Sequence, residues 1–599
     1  MALKDILTPF TAWTNVFKPV VTIKDPFNDR PGAERYRGFH FNDTSKCIGC
    51  GSCEAICENE AIDLVPVEGI ETKDGDSGLR PRVDYGRCCW CALCVDVCTT
   101  ASLRLTNEYT WVTENPEDLR YTPGVDVKPW DKNELGWKKP EPNYHFFGQK
   151  RVSMPELHPE QRDKSFIEIV KGYSKEQAIL EADRCVECGI CIATCPAHMG
   201  IPDYIRAIRE DNIEEGFKIL YDTNPLPEIC GRICTHKCET VCSVGNLGEA
   251  LSIRWLKRYI ADQVESEDYK RILQSDGIAN NGKKVAVVGS GPAGLSAAHY
   301  LALMGYSVTI YEQFSQSGGM MRYGIPEYRL PYDQIDKDVN YILSLGVKII
   351  YNTNVGKDIS LSELKSKYDA VFAGTGLHLG RSTRIPGTDH KHVYQSIDLL
   401  NKITEGKEIH VAENIVVIGG GNVAMDITRS LARLQNIKYG KVSIIATSLE
   451  DENSMPADRE EVVEAREEMA TINPGWGPKE ILIEDGNIKG LRVVKCLSIF
   501  DEEGRFNPKF DESNTNFFKA DMIVESIGQG MDIEYISEDI KKDLEINNRG
   551  RIVVDELFQS GAKWLFIGGD IIQGPDVIHG IANGHKAAVG IDKYLNTNI

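Results

Sequence analysis

Long apolar runs are missing from this 599-residue chain. No stretch of about eighteen apolar residues occurs, which excludes a helical membrane span. The opening segment ILTPFTAWTNVFKPV is apolar and aromatic, but Pro9 and Pro19 interrupt it. Residues 1–35 therefore read as a segment that docks on a partner or on the chain itself. Basic charge is in short supply: 68 Lys and Arg against 89 Asp and Glu leave a net charge of −21. That argues against nucleic acid, whose phosphates demand clustered cations. The start MALKDILTPF has no basic-then-apolar signal segment, so disulfide-forming compartments are not indicated. No internal repeat stands out beyond one pair of cysteine runs. Cysteine almost vanishes after Cys242, where only Cys496 remains, and it reads as a core residue.

What is present is a field of thiols upstream of two nucleotide signatures. Cys47, Cys50, Cys53 and Cys57 form one C-x2-C-x2-C-x3-C run, and Cys88, Cys91, Cys94 and Cys98 form another. In this ferredoxin spacing three thiolates take corners of one cubane and the fourth crosses to the other. One cluster would then use Cys47, Cys50, Cys53 and Cys98, and its partner Cys88, Cys91, Cys94 and Cys57. Zinc is disfavoured because its sites tend to use paired ligands, often with histidine, and neither run contains one. Glu58 and Thr99 replace the proline that usually follows the fourth cysteine, so the local turns should differ from a simple ferredoxin. Cys89 is surplus and reads as a small packed thiol beside a cluster. Further cysteines follow at 185, 188, 191 and 195, after a helix expected to open on the capping box of Ser174. A last set lies at Cys230, Cys234, Cys238 and Cys242. Its even spacing fits one helix face, but Gly231 and Thr235 favour a looped turn about equally.

From Lys284 the chain reads KVAVVGSGPAGLSAAHYLALMGYSVTIYE. A β-branched strand enters Gly289-x-Gly291-Pro292-Ala293-Gly294, a helix follows, and Glu312 closes the next strand. Glycines there let the backbone approach a pyrophosphate, the helix start faces its charge, and the acid accepts from ribose hydroxyls. Gly318-Gly319-Met320 follows, then Gly374-Thr375-Gly376, then Gly569-Asp570 ahead of a helix near Val577. A second signature, Gly419-x-Gly421-Asn422-Val423-Ala424, opens another dinucleotide site, and alanine in its third place suits a nicotinamide.

The stretch ERYRGFHFNDTSKCIGCGSCEAIC resembles the two-cluster ferredoxin subunit of respiratory complex I over roughly the first hundred residues. From about Pro155 onward, GYSKEQAILEADRCVECGICIATCPAHMGIPDYI and EICGRICTHKCETVC resemble the glutamate synthase small subunit and the N-terminal half of dihydropyrimidine dehydrogenase. That resemblance implies two [4Fe-4S] clusters in a helical domain, one on Cys185, Cys188, Cys191 and Cys242. The other would take Cys195, Cys234 and Cys238. The family's acidic or amide fourth ligand falls near Lys257, which cannot coordinate while protonated, so Cys230 is the candidate for that corner. The resemblance also implies FAD, with AGTG as its return loop and Asp570 beside the ribityl chain. Relatives that use NADPH carry an arginine pair where Thr447 and Ser448 stand here, followed by Glu450, Asp451 and Glu452. Acids there repel a 2′-phosphate, so NADH is favoured over NADPH unless Arg459 or Lys441 folds in.

The expected architecture is multidomain α+β and α/β. Residues 1–35 form the docking segment, 36–106 a two-[4Fe-4S] ferredoxin domain, 107–164 an extended linker, and 165–275 a helical iron–sulfur domain. Residues 276–405 and 520–599 form an FAD domain interrupted by an NAD(P) domain at 406–519. The expected activity is hydride exchange between NAD(P)H and FAD, then one-electron transfer through up to four [4Fe-4S] clusters. The acceptor would be a ferredoxin or a partner subunit such as a hydrogenase or an aldehyde or formate oxidoreductase. Hydride transfer needs alignment rather than a general acid or base, so no catalytic side chain is expected. A glutamate synthase small subunit, an electron-bifurcating subunit and a non-enzymatic scaffold are the competing readings. Reduced clusters and free thiolates point to a cytoplasmic location.

Overall fold

A computed structural model describes residues 36–596, apart from 71, 73–74, 129–135, 139–147, 247, 276, 548–550 and 575. The expected docking segment, 1–35, lies outside the described residues. The chain divides into two compact units, residues 1–148 and 149–599.

In the first unit, His40–Asn42 pairs antiparallel with Leu103–Leu105, and Ile62–Pro66 pairs with Leu79–Asp84. Two four-residue helices, Ser52–Ala55 and Leu93–Asp96, each start after a residue in the left-handed region, Gly51 and Ala92. Phe39, Ile62, Val83, Tyr85, Val95 and Leu105 close the core between them. The expected linker is not one strap. Asn115 caps a short 3-10 turn, and Arg120–Tyr121 then joins the sheet beside Val83 and Asp84. Gln149 and the residues after it belong to the second unit, where Glu156 bridges to Val170.

The second unit begins with a helical layer. Ser174 and Gln177 form the expected capping box, with Ser174 N–H donating to Oε1 at 2.9 Å and Gln177 N–H to Oγ at 3.3 Å. The helix runs Lys175–Ala182 and ends before the cysteines. The later cysteine segment is not one helix. Pro227–Ile233 stops at Cys234, which is extended, and Lys237–Thr240 restarts after His236 at φ 38°. Gly231 has a packing role, because a Cβ there would lie 2.8 Å from Arg258 Cα. Only glycine lets Pro227–Ile233 cross Ile253–Asp262 so closely.

Two parallel five-stranded sheets follow. One runs Leu565–Ile567, Ala370–Ala373, Lys284–Val288, Ser307–Tyr311 and Lys348–Ile350 across the sheet. The other runs Val393–Gln395, Met522–Glu525, Ile415–Ile418, Ile444–Ser448 and Thr471–Pro474. The insert is therefore wider than 406–519. Residues 393–395 and 522–525 both belong to this second sheet, paired in parallel with each other and, for 522–525, with Ile415–Ile418. Leu377–Gly380 pairs antiparallel with Met531–Gln529 where the chain passes between the two sheets.

Buried ion pairs tie the insert to its surroundings. Arg329 reaches Asp426 at 2.8 Å and Glu461 at 2.7 Å, and Arg254 of the helical layer reaches Glu460 at 2.8 Å. Glu468 meets Arg429 at 2.9 Å and Arg433 at 2.7 Å. Both guanidiniums lie over the Tyr328 ring, at 4.7 and 3.8 Å, and Arg162 also meets Glu467 and Glu468. Removing one partner from such a set strands a buried charge. Glu468→Gln should cost about 3–5 kcal/mol, read as a lower urea midpoint for the insert, whereas exposed Glu484→Gln should leave that midpoint unchanged.

Candidate cofactor sites

The structure gathers the cysteines into four groups. Cys47, Cys50, Cys53 and Cys98 line one cavity with Gly49, Gly51 and Leu64. Cys94 lies with Cys88, Cys91 and Cys57. The fourth cysteine of each run thus sits with the other run. Ser52 Oγ is 3.3 Å from Cys50 Sγ, and Ser102 Oγ is 3.4 Å from Cys98 Sγ. Backbone N–H groups of Ala61 and Trp90 donate to Cys57 Sγ and Cys88 Sγ at 3.3 and 3.4 Å. Thr99 is buried, with Oγ1 3.9 Å from Cys50 Sγ, while Glu58 is exposed. Cys89 is exposed rather than packed, because Trp90 turns inward at φ 52° and stacks on Tyr85, taking the shielding position.

In the second unit, Cys185, Cys188, Cys191 and Cys242 neighbour one another, and Ser243 Oγ lies 3.1 Å from Cys188 Sγ. Cys195, Cys230, Cys234 and Cys238 surround the side chain of Lys257. Tyr204, fully buried, neighbours Cys191 of the first group and Cys195, Cys234 and Cys238 of the second. Burial pushes the Cys185 and Cys191 thiols up to about 12, so without a metal they stay protonated at neutral pH. Among the described residues no three His, Cys, Asp or Glu side chains are placed to hold a single ion.

The first nucleotide loop is a backbone cradle. A Cβ at Gly289 would lie 2.7 Å from Gly374 O, one at Gly294 2.0 Å from Gly289 O, and one at Gly319 2.8 Å from Gly291 Cα. Gly318-Gly319-Met320 and Gly374-Thr375-Gly376 therefore close on Gly289–Gly294, and a Cβ at Gly291 would meet only Gly319 Cα, at 3.9 Å. Helices Pro292–Leu303 and Val577–Asn596 start side by side: a Cβ at Gly580 would lie 3.3 Å from Pro292 Cγ, and one at Gly569 would lie 3.1 Å from Ala293 Cβ. Glu312 Oε2 accepts from Ser290 N–H at 2.8 Å and Ser290 O–H at 2.6 Å, and Oε1 from Phe314 N–H at 2.9 Å, which leaves a lone pair on Oε1 for a hydroxyl donor. Burial, with the charge of Asp576, pushes the Asp570 carboxyl up to about 7.

In the second loop, a Cβ at Gly419 would meet Ser526 O at 2.2 Å, and none lies within 4 Å of Gly421. The Asn422 amide is engaged with Asp458, which donates its N–H to Oδ1 at 2.7 Å and accepts from Nδ2 at 3.0 Å. Val423 and Ala424 pack into the insert core. Thr447 Oγ1 donates to Trp476 O at 3.4 Å and Ser448 Oγ to Glu450 O at 3.2 Å. The Glu450 carboxylate lies over the loop, 2.9 Å from where a Gly420 Cβ would stand. Lys441 pairs with Glu413 at 2.8 Å and is not turned to this loop. Arg459 is exposed at the start of its helix.

Residues 283–588 match the pyridine nucleotide-disulphide oxidoreductase family. The chain belongs to that family. Residues 162–269 match the 4Fe-4S domain II of dihydropyrimidine dehydrogenase, and residues 46–102 match the 4Fe-4S dicluster domain. The small chain of glutamate synthase [NADPH] from Escherichia coli is 31% identical over 76% of this chain and 98% of its own length. The Escherichia coli oxidoreductase AegA is 30% identical over 92% of this chain and 86% of its own. The beta subunit of the NADP(+)-dependent formate dehydrogenase of Moorella thermoacetica is 36% identical over 68% of this chain, which spans 60% of that subunit's length. This oxidoreductase is thus an iron–sulfur flavoprotein that exchanges electrons with NAD(P)H.

These side chains and loops fit those cofactors. Thiols held protonated by burial gain their charge on binding iron, the glycine cradle admits a pyrophosphate, and Ser526 Oγ is a buried hydroxyl without a partner beside the second loop. One neighbour of the thiols lay outside the sequence signals. His40 N–H donates to Tyr85 Oη at 2.8 Å, so Oη can donate its own proton to His40 Nδ1 at 3.3 Å. That leaves Nε2 as the N–H facing Cys94 Sγ at 3.3 Å. Burial lowers the ring to about 4, and the imidazole is a neutral donor at pH 7. His40 precedes the first run by seven residues, and only its strand partner Leu105 reveals its place. Gly319→Ala should abolish flavin binding while sparing the thiol groups: flavin per protein should fall at least tenfold with iron content unchanged.

Proposed function

We propose that this chain is the electron-entry subunit of a redox complex, exchanging hydride between NADH and FAD and single electrons with a partner through four [4Fe-4S] clusters. The observation that carries this reading is the convergence of sixteen cysteines in four groups, with one group adjoining the flavin cradle. The helix bearing Cys238 meets the flank of that cradle, where Lys237 Nζ lies 4.0 Å from Asp576. The ligand sets are Cys47, Cys50, Cys53 and Cys98; Cys88, Cys91, Cys94 and Cys57; Cys185, Cys188, Cys191 and Cys242; and Cys195, Cys230, Cys234 and Cys238.

Bound FAD would convert between two-electron hydride chemistry and the one-electron chemistry of the clusters. The residues here bind and align. Glu312 would accept from the ribose, the starts of Pro292–Leu303 and Val577–Asn596 would face the pyrophosphate, and Asp570 would line the flavin side of the cradle. No side chain is assigned a proton to transfer. Relatives named as subunits of formate dehydrogenase and of an NADPH-Fe(3+) oxidoreductase support a partner subunit of similar redox chemistry. Anaerobic affinity purification from the native organism should bring down a second redox protein with iron and flavin in the complex. Recovery of the chain alone, unable to reduce ferredoxin, would contradict the assignment.

NADH is favoured over NADPH although those relatives are named for NADP(H). The support is local: Glu450 overhangs the loop, Thr447 and Ser448 fill the arginine positions, and Lys441 is paired elsewhere. A carboxylate there accepts from a 2′-hydroxyl and repels a 2′-phosphate. Steady-state anaerobic assays should give a kcat/KM for NADH at least tenfold above that for NADPH, and Glu450→Gln should narrow the gap. A preference for NADPH in the unaltered protein would overturn the choice.

A further inference from the structure

Lys257 is a buried cation without a counter-carboxylate. It lies on Ile253–Asp262 and is 5% exposed. Its helix neighbours are all matched: Arg254 with Glu460 at 2.8 Å, and Arg258 with Glu168 and Asp262 at 3.0 Å each. Among the described residues no ion pair or hydrogen bond involves Lys257. The groups facing it are Cys195, Cys230, Cys234 and Cys238. Asp338, an acid that neighbours Cys230, is engaged by Ile229 N–H at 3.2 Å and Tyr221 O–H at 3.4 Å. The close crossing at Gly231 presses Lys257 against these thiols, since the Cβ missing there would meet Arg258 Cα at 2.8 Å.

Lys257 has four thiols and no carboxylate beside it, so the cluster those thiols would hold supplies its counter-charge. One-electron reduction makes that cluster more negative by one charge, so a fixed cation favours the reduced form over the oxidised one. We infer that Lys257 is a positioning residue that ion-pairs with the cluster on Cys195, Cys230, Cys234 and Cys238 and raises its reduction potential. The inference rests on the ligand sets proposed above, and it makes the cluster adjoining the flavin cradle a ready acceptor. An acid or amide at this position would be a ligand; the lysine here is a counter-charge, and Cys230 completes the thiolate set.

The test is an anaerobic redox titration followed by electron paramagnetic resonance on the holoprotein and on Lys257→Met and Lys257→Arg. K257M should keep the iron of all four clusters, while one cluster loses at least tenfold in its reduction equilibrium, about 59 mV for one electron. The other three potentials should stay put, and K257R should match the unaltered protein. Loss of that one cluster from K257M but not from K257R would also support the ion pair. Unchanged potentials in K257M with full iron, or loss of the cluster from both variants, would overturn it. Cys230→Ser is read separately by iron content and spectra. If all four clusters survive in C230S, the ligand assignment fails, and the potentials of K257M still report on the lysine.

Discussion

A charge taken out of water must be met by an opposite one, and both the cofactor sites and the domain packing of this chain follow from that constraint. Burial holds Cys185 and Cys191 protonated until iron binds. It leaves Lys257 facing the thiols of Cys195, Cys230, Cys234 and Cys238, and it sets Arg429 and Arg433 on Glu468. The same side-chain chemistry that would hold the clusters therefore also fixes the nicotinamide insert against the flavin domain and the helical layer.

A second constraint is backbone proximity. The flavin cradle is built where loops from three parts of the sequence come closer than a Cβ permits, at Gly289 with Gly374 and at Gly291 with Gly319. The helical layer uses the same device at Gly231. Hydride exchange depends on alignment, so a site assembled from rigid close contacts suits a protein that supplies no proton. The ion pairs of Arg329 with Asp426 and Glu461 hold the second nucleotide loop in a fixed relation to the first.

What could be read from the sequence was local. Two identical cysteine spacings, two glycine signatures followed by helices, and the Ser174 capping box each declare themselves within thirty residues, and the fold class followed from them. The paired ferredoxin groups were legible because the crossed ligation rule is itself a spacing rule. What escaped depends on distant contact. His40 meets Cys94 only after two three-residue strands pair, and the insert's edge strand at 393–395 is defined by its parallel partner Ile523–Glu525. Cys89 was misplaced because nothing in CCWC tells which of Cys89 and Trp90 turns inward. The Glu468 set joins residues more than thirty positions apart, beyond any helix or strand period.

The central claim is that electrons cross from nicotinamide through flavin into the clusters within this one chain. The direct measurement is anaerobic addition of NADH to the holoprotein, following flavin absorbance and the paramagnetic signals of reduced [4Fe-4S] centres in the same samples. The account predicts that the flavin bleaches and that reduced-cluster signals grow with it. A flavin that stays oxidised with either nicotinamide, or one that bleaches while every cluster stays oxidised, would contradict it.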